Sequence, residues 1–311
     1  MPGCAVTGMG RDTLKAYMNR KGVIVFALAS LALTGAGCGK SKKPILVGSK
    51  NSTEQMLVGE VVAQHLENRL KRPVERRLGM GATVIVYQSL VSGELTLYPE
   101  YSGVIESEIL KERPPADAQM VWERARGEMA RQSQLELLAP LGYENPPVIV
   151  VRAADAARTK VSTLSEAAQI PDPWKLGVSY EFQQRQDGIP AITSYKLPMA
   201  SGIRGMDASG LFAALQKGEV TMIAANATDS GLVSPEFTVL ADDRNVFPSY
   251  RASLLVRQDA LAGEPMLRTA LLELSGKFSI NGIRKLTAQV DREHRTVAEV
   301  AKEFLGTLNL K

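Results

Sequence analysis

Val47-Gly48-Ser49-Lys50-Asn51-Ser52-Thr53-Glu54-Gln55 joins two kinds of sequence. Before it, Ile45 to Val47 is a short apolar run. After it, Leu57, Val58, Val61, Val62, Leu66 and Leu70 recur at helical spacing. Ser52 followed three residues later by Gln55 has capping-box spacing, which predicts a helix starting there. The stretch therefore reads as a strand whose carboxyl end runs into a helix start. Such a start carries free N–H groups and partial positive charge, and Lys50 adds a full one. That corner suits a small anion such as a carboxylate. An ordinary strand-to-helix turn with a solvated lysine is the plainer alternative.

Outward from this corner the chain alternates short apolar runs with helical patterns. Strands are expected at Ile45–Val47, Leu95–Leu97, Val148–Val151, Leu176–Val178, Val220–Ala224 and Leu254–Val256. Helices are expected at Thr53–Leu70, Thr83–Val91, Met120–Gln134, Leu164–Ala168, Ser209–Gln216 and most of Glu264–Leu305. The class is α/β, with mostly parallel sheets predicted. Gln88-Ser89-Leu90-Val91-Ser92-Gly93-Glu94-Leu95-Thr96-Leu97 resembles Ala214-Leu215-Gln216-Lys217-Gly218-Glu219-Val220-Thr221-Met222. In each, a helix ends on Gly-Glu, where glycine fits a left-handed cap, and a short strand with Thr in its middle follows. A polar loop comes next, 98–103 in one copy and 226–231 in the other. Two similar α/β halves, each with a loop beyond a strand's carboxyl end, suggest a ligand cleft between them.

The chain's start bears on where it works. Arg11, Lys15, Arg20 and Lys21 precede an apolar stretch from Gly22 to Thr34, then Gly35-Ala36-Gly37-Cys38. This is the layout of a secretory signal, too short for a membrane span. Cys38 after Ala36-Gly37 resembles a bacterial lipobox, with Gly35 where an aliphatic residue is usual. The expectation is a lipoprotein signal over 1–37, lipidation of Cys38, and a tether over 38–43; Met18 is the more typical start. Both cysteines, Cys4 and Cys38, fall at or before that cleavage point, so the rest of the chain has neither thiol nor disulfide. The net charge is +4, of which the leader's four basic residues against Asp12 hold three. The high isoelectric point therefore gives no reason to expect nucleic acid as a partner.

Several motifs occur in a fixed order: Gly-Ser-Lys-Asn-x-Thr-Glu-Gln at 48–55, Arg77-Leu78-Gly79-Met80-Gly81-Ala82-Thr83, and Leu97-Tyr98-Pro99-Glu100-Tyr101-Ser102-Gly103. Then come Glu181-Phe182 with Arg185 and Asp187-Gly188, Thr228-Asp229, and Asp242-Asp243 ahead of Phe247-Pro248 and Tyr250. From about Pro44 to the C-terminus this set closely resembles the osmoprotectant-binding proteins of ABC importers, which capture glycine betaine, choline or carnitine. The resemblance implies a two-lobed periplasmic binding-protein fold (type II): two α/β lobes, a two-strand hinge and a ligand cleft. Lobe one would be 44–146 plus 252–311, and lobe two 147–251. It implies a lipid-anchored monomer outside the cytoplasmic membrane that hands its ligand to a permease, without cofactor, metal or nucleic acid.

Its chemistry has a physical basis. A quaternary ammonium donates no hydrogen bond, so aromatic faces hold it by cation–π attraction, while Lys/Arg and backbone N–H groups hold a carboxylate. Carried onto this chain, Lys50 and Arg185 would take the carboxylate, and Tyr101 and Tyr250 would give ring faces to the ammonium. Thr228 and Asp229 would line the second lobe's side, with Asn51, Thr53, Ser102 and Asn226 completing the binding set. Arg185 has the alternative of pairing locally with Asp187 or Glu181, and the tyrosines of packing beside Pro99 and Pro248. The chain departs from the family at two aromatic positions, where Pro147 (in Asn145-Pro146-Pro147) and Asn226 stand. Ser52, Ser102 and Val104 are further departures. These make room for a different polar zwitterion, amino-acid-like or betaine-derived.

Other classes fit less well. The two histidines, His65 and His294, read as surface residues; Glu54 and Glu100 could be paired carboxylates in a cleft, but helix capping and solvated loops explain them as well. No Gly-x-Ser-x-Gly elbow, His-x-x-x-His spacing or phosphate loop occurs, so an enzyme on this fold is remote. Only the signal and tether precede the lobes, where a DNA-binding regulator would need a helix-turn-helix. No apolar run of spanning length follows Cys38.

Overall fold

The computed structural model describes residues 43–311, apart from Pro115, Ala116, Asp172, Pro173, Gln186, Asn309 and Lys311. The expected leader, Cys38 and the tether up to Lys42 lie outside the described residues. Pro44–Lys311 forms one compact unit.

Among the described residues ten strands build two sheets: β1 (Ile45–Gly48), β2 (Val74–Arg77), β3 (Leu97–Tyr101), β4 (Leu135–Leu137), β5 (Pro147–Arg152), β6 (Trp174–Ser179), β7 (Met199–Met206), β8 (Met222–Asn226), β9 (Phe237–Leu240) and β10 (Ala252–Arg257). One sheet runs β2-β1-β3-β10-β4 and the other β7-β6-β8-β5-β9. The two orders are the same plan, with β3 and β8 each central. The helices before those strands end on Gly93 (φ 87°) and Gly218 (φ 75°), both left-handed. The internal repeat is thus a repeat of structure.

The sheets are mixed rather than mostly parallel. β1 pairs in parallel with β2 and β3, and β6 with β7 and β8. β10 and β5 run antiparallel to both of their neighbours. The reason is the route of the chain. β5 and β10 are entered from the crossings between sheets, so each begins beside its neighbour's carboxyl end: Pro147 opposite Asn226, and Ala252 opposite Tyr101.

The helix Thr53–Leu70 matches its predicted span. Ser52 caps it by accepting from the Gln55 N–H at 3.4 Å, and Lys71 in the left-handed region ends it. Its apolar face, Val58, Val61, Val62 and Leu66, packs with Val47, Leu97, Leu254 and Val256. A buried aliphatic side chain of this kind contributes about 1.5–3 kcal/mol. The second core gathers Ile149, Trp174, Leu176, Val178, Met222 and Phe247. β3 begins at Leu97 rather than Leu95, whose N–H is taken by the Ser89 carbonyl at the end of the preceding helix (3.0 Å); the Leu95 side chain fills the space beside Gly48. His65 is buried rather than exposed. It hydrogen-bonds the Ala270 carbonyl at 2.8 Å and stands 3.1 Å from Glu273, pinning two helices together.

The two crossings between sheets are laddered. Asn145 N–H donates to Tyr250 O (3.0 Å), Ala252 N–H donates to Tyr143 O (3.1 Å), and Glu144 bridges Arg251. This is a two-stranded hinge.

Candidate ligand-binding cleft

The carboxyl ends of β1, β3, β6 and β8 face one cleft. Lys50 and Asn51 follow β1, Tyr101 ends β3, Glu181, Phe182 and Arg185 follow β6, and Asn226 ends β8; Asp229, Asn145 and Tyr250 complete the wall. The β1 corner is held by its neighbour loop. Ser49 Oγ accepts from Gly79 N–H at 2.9 Å, and Asn51 N–H donates to Gly81 O at 3.2 Å. Gly79 (φ 72°) and Gly81 (φ 129°) take backbone conformations that side chains resist.

Behind the first lobe's wall lies a buried polar network. Glu54 is 2% exposed and accepts from the hydroxyls of Tyr101 and Tyr143. Asn145 Nδ2 donates to it at 3.0 Å and Thr228 Oγ1 at 3.4 Å. Burial raises the Glu54 pKa, against the lowering effect of Tyr101, Tyr143, Lys50 and Thr228. Glu100 is fully buried, pairs with Lys50 Nζ at 2.6 Å, and accepts from Tyr98 OH (3.0 Å) and its neighbour's N–H at Tyr101 (2.8 Å). Neither carboxylate is a capping or solvated group, because the helix start and β3 both turn inward here.

The second lobe offers Arg185. It makes a two-pronged ion pair with Asp187 (2.9 and 2.8 Å), donates to Tyr250 OH at 2.7 Å, and lies 3.9 Å from Glu108. Burial opposes its charge, but Asp187 and Glu108 hold its pKa above the ordinary value. Both expected cations also stand against the expected rings: Lys50 Nζ is 4.6 Å from the Tyr101 centroid, and the Arg185 guanidinium carbon 5.4 Å from that of Tyr250. Asp229 accepts from Asn226 N–H at 2.9 Å. Burial pushes its pKa up to about 6, with Asp291 adding and Asn226 and Arg284 subtracting.

Of the residues singled out in the sequence, Lys50, Asn51, Tyr101, Arg185, Asn226, Asp229 and Tyr250 converge on the cleft. Three stand elsewhere. Thr53 Oγ1 donates to Asp291 at 2.7 Å, buried Ser102 accepts from Arg251 N–H at 3.2 Å in the hinge, and Thr228 is spent on Glu54 and on Asn145 Oδ1 (3.1 Å from its N–H). The two departures from the family pattern are cross-strand partners: Pro147 pairs with Asn226, and of the two only Asn226 lines the cleft. Gln55, Asn145 and Phe182 join the wall without having been assigned a role, and Tyr143 supports it from behind. The aromatic in Tyr143-Glu144-Asn145, immediately before the crossing, was the available signal. A roomier groove nearby, between Arg113 and Pro190, Ser194 and Arg244, has no aromatic side chain among the described residues that line it. Its Arg244 is occupied by the Tyr195 ring, Ser165 and Ser194.

A family model for the substrate binding domain of ABC-type glycine betaine transport system matches residues 43–307. The chain is 26% identical over 271 residues to the ergothioneine transport permease/ergothioneine binding protein EgtU of Helicobacter pylori (strain G27), 86% of this chain and 48% of that protein; it spans about half that relative's length. It is 28% identical over 295 residues to the glycine betaine-binding protein YehZ of Escherichia coli (strain K12), 91% of this chain and 94% of that one. The crystal structure of glycine betaine/carnitine/choline ABC transporter shares the two-lobed fold, with a TM-score of 0.76 at 22% identity over 84% of this chain and 97% of that chain.

Proposed function

The chain belongs to the substrate-binding domains of ABC-type glycine betaine transport systems, and from that premise we propose that it captures glycine betaine or a related quaternary-ammonium zwitterion outside the cytoplasmic membrane and delivers it to an ABC permease. Lipid on Cys38 would hold it at the membrane surface; among the described residues no helix is long and apolar enough to cross one. The observation that carries the reading is the meeting of two cations and two tyrosines from different parts of the chain in one cleft.

Lys50 and Arg185 face the cleft from opposite lobes and would share the ligand's carboxylate. Each leans on a tyrosine, Lys50 on Tyr101 and Arg185 on Tyr250. A ligand ammonium would take over those ring faces as the two cations turn to the carboxylate. Contacts from both lobes favour the closed form, and the closed form is what the permease would recognise. Asn226, where the family has an aromatic, favours a second reading with the same transport role: a more polar, amino-acid-like or betaine-derived zwitterion. Ergothioneine, named for the relative EgtU, is one such compound.

Titration calorimetry of the purified protein against glycine betaine, choline, carnitine and ergothioneine tests this. Binding of at least one, weakened tenfold or more by both Lys50→Ala and Arg185→Ala, is expected when that ligand bears a carboxylate. Undiminished affinity in both variants removes the carboxylate clamp.

A further inference from the structure

We infer that Gln55 reads a hydrogen-bonding group on the ligand, so that the cleft selects zwitterions carrying an N–H or O–H in addition to their charged ends. The inference rests on the reading of this cleft as a zwitterion site.

Gln55 is 1% exposed and lines the cleft beside Lys50 and Tyr101, yet neither its amide nitrogen nor its amide oxygen has a hydrogen-bond partner. Its place in the helix ordinarily supplies one. At the third position after a Ser/Thr cap, the side chain reaches back to the cap's own N–H. Two helix starts in this chain do so, through Glu166 to Thr163 and Glu299 to Thr296. At Ser52 only half of the motif forms: Ser52 accepts from the Gln55 N–H, and the Gln55 amide is turned elsewhere. The nearby Tyr101 hydroxyl donates to Glu54 and accepts from Asn145 at 3.3 Å; the Gln55 amide lies close enough to act on that hydroxyl's pKa but makes no hydrogen bond of good geometry with it.

A buried amide with both ends open is a standing cost that native chains rarely retain without use. The chemistry of the two ends separates possible ligands. A carboxylate can accept from the Gln55 nitrogen, but a trimethylammonium has no proton for the Gln55 oxygen. Only a ligand with a further N–H or O–H satisfies both ends. Asn226 stands on the facing wall, exposed to the cleft; its side chain also bonds Asp229, so it adds a polar group there that is already partly engaged.

Matched betaines test this: histidine betaine against phenylalanine betaine, and 4-hydroxyproline betaine against proline betaine, with glycine betaine as the common reference. By calorimetry the native protein is expected to prefer the hydrogen-bonding member of at least one pair by tenfold or more. Gln55→Met should cut that preference below threefold, whereas Gln55→Glu, which keeps an acceptor, should retain most of it. Because each preference is a ratio measured on one protein sample, partial unfolding of a variant does not mimic the effect. No preference, a preference for the apolar member, a preference unchanged in Gln55→Met, or binding of glycine betaine alone would each overturn the inference while leaving the transport role in place. Binding of none of the five would overturn the zwitterion reading itself.

Discussion

The two walls of the cleft are built differently. On the first lobe, Lys50 and Tyr101 project from a strand end and a strand-to-helix turn, each fixed from behind by a buried carboxylate: Glu100 under Lys50, and Glu54 under Tyr101. On the second lobe, Arg185 lies beyond a five-residue helix, Asn226 is exposed, and Asp229 is secured mainly by a local turn bond to Asn226. The first wall is backed by carboxylates from behind, whereas Arg185 on the second is held by Asp187, two residues along the chain, and by the Tyr250 hydroxyl. On the proposed reading, exposed Asn226 on the second wall is where a change of residue would alter the ligand at least structural cost.

The largest effect that would break this contrast concerns stability. Lys50→Ala strands the charge of fully buried Glu100, and removing one partner of a buried pair costs about 3–5 kcal/mol. Arg185→Ala leaves Asp187 nearer the rim and should cost less, about 1–3 kcal/mol. Urea denaturation of both variants gives the ranking, and a greater loss for Arg185→Ala would abolish the distinction between walls.

A second effect sharpens it through pH. Asp229 keeps its proton in the folded state up to about pH 6, above the ordinary carboxylate value of 3.8. Its contribution to stability is therefore full below about pH 4 and is lost as pH rises through about 6. Relative to Asp229→Asn, the native protein should lose up to about 3 kcal/mol between those pH values. Parallel pH profiles of the unfolding free energy would show it, and superimposable profiles would mean that Asp229 ionises freely in the fold.

The smallest effect is a gain. Asn226→Tyr restores a ring on the adaptable wall and should strengthen binding of glycine betaine by about 0.5–2 kcal/mol, roughly twofold to thirtyfold. Weaker betaine binding in this variant would show that the second wall is shaped against a trimethylammonium rather than merely lacking a ring for it.

The legible parts of the molecule were those whose signals are local. Apolar spacing located the helix Thr53–Leu70, and glycine at a left-handed cap marked the end of each repeated helix. β2, read in the sequence as Val-Glu-Arg-Arg, escaped notice because an edge strand carries charged residues and shows no clear alternation. β7 holds two glycines for a similar edge position. The site was legible as a set of cleft residues and illegible as a network. Glu54 draws its partners from positions as far as 174 residues along the chain, a relation that no local window contains. His65 was misread for the same reason: its partner carbonyl, Ala270, lies in a distant helix.

The ion pairs within the cleft would, on the proposed reading, also set the terms of unloading. When a ligand leaves, Lys50 has Glu100 to return to and Arg185 has Asp187 and the Tyr250 hydroxyl. Departure exposes no bare charge inside the protein. On the proposed reading, capture would be an exchange of partners for both cations rather than a first pairing of bare charges.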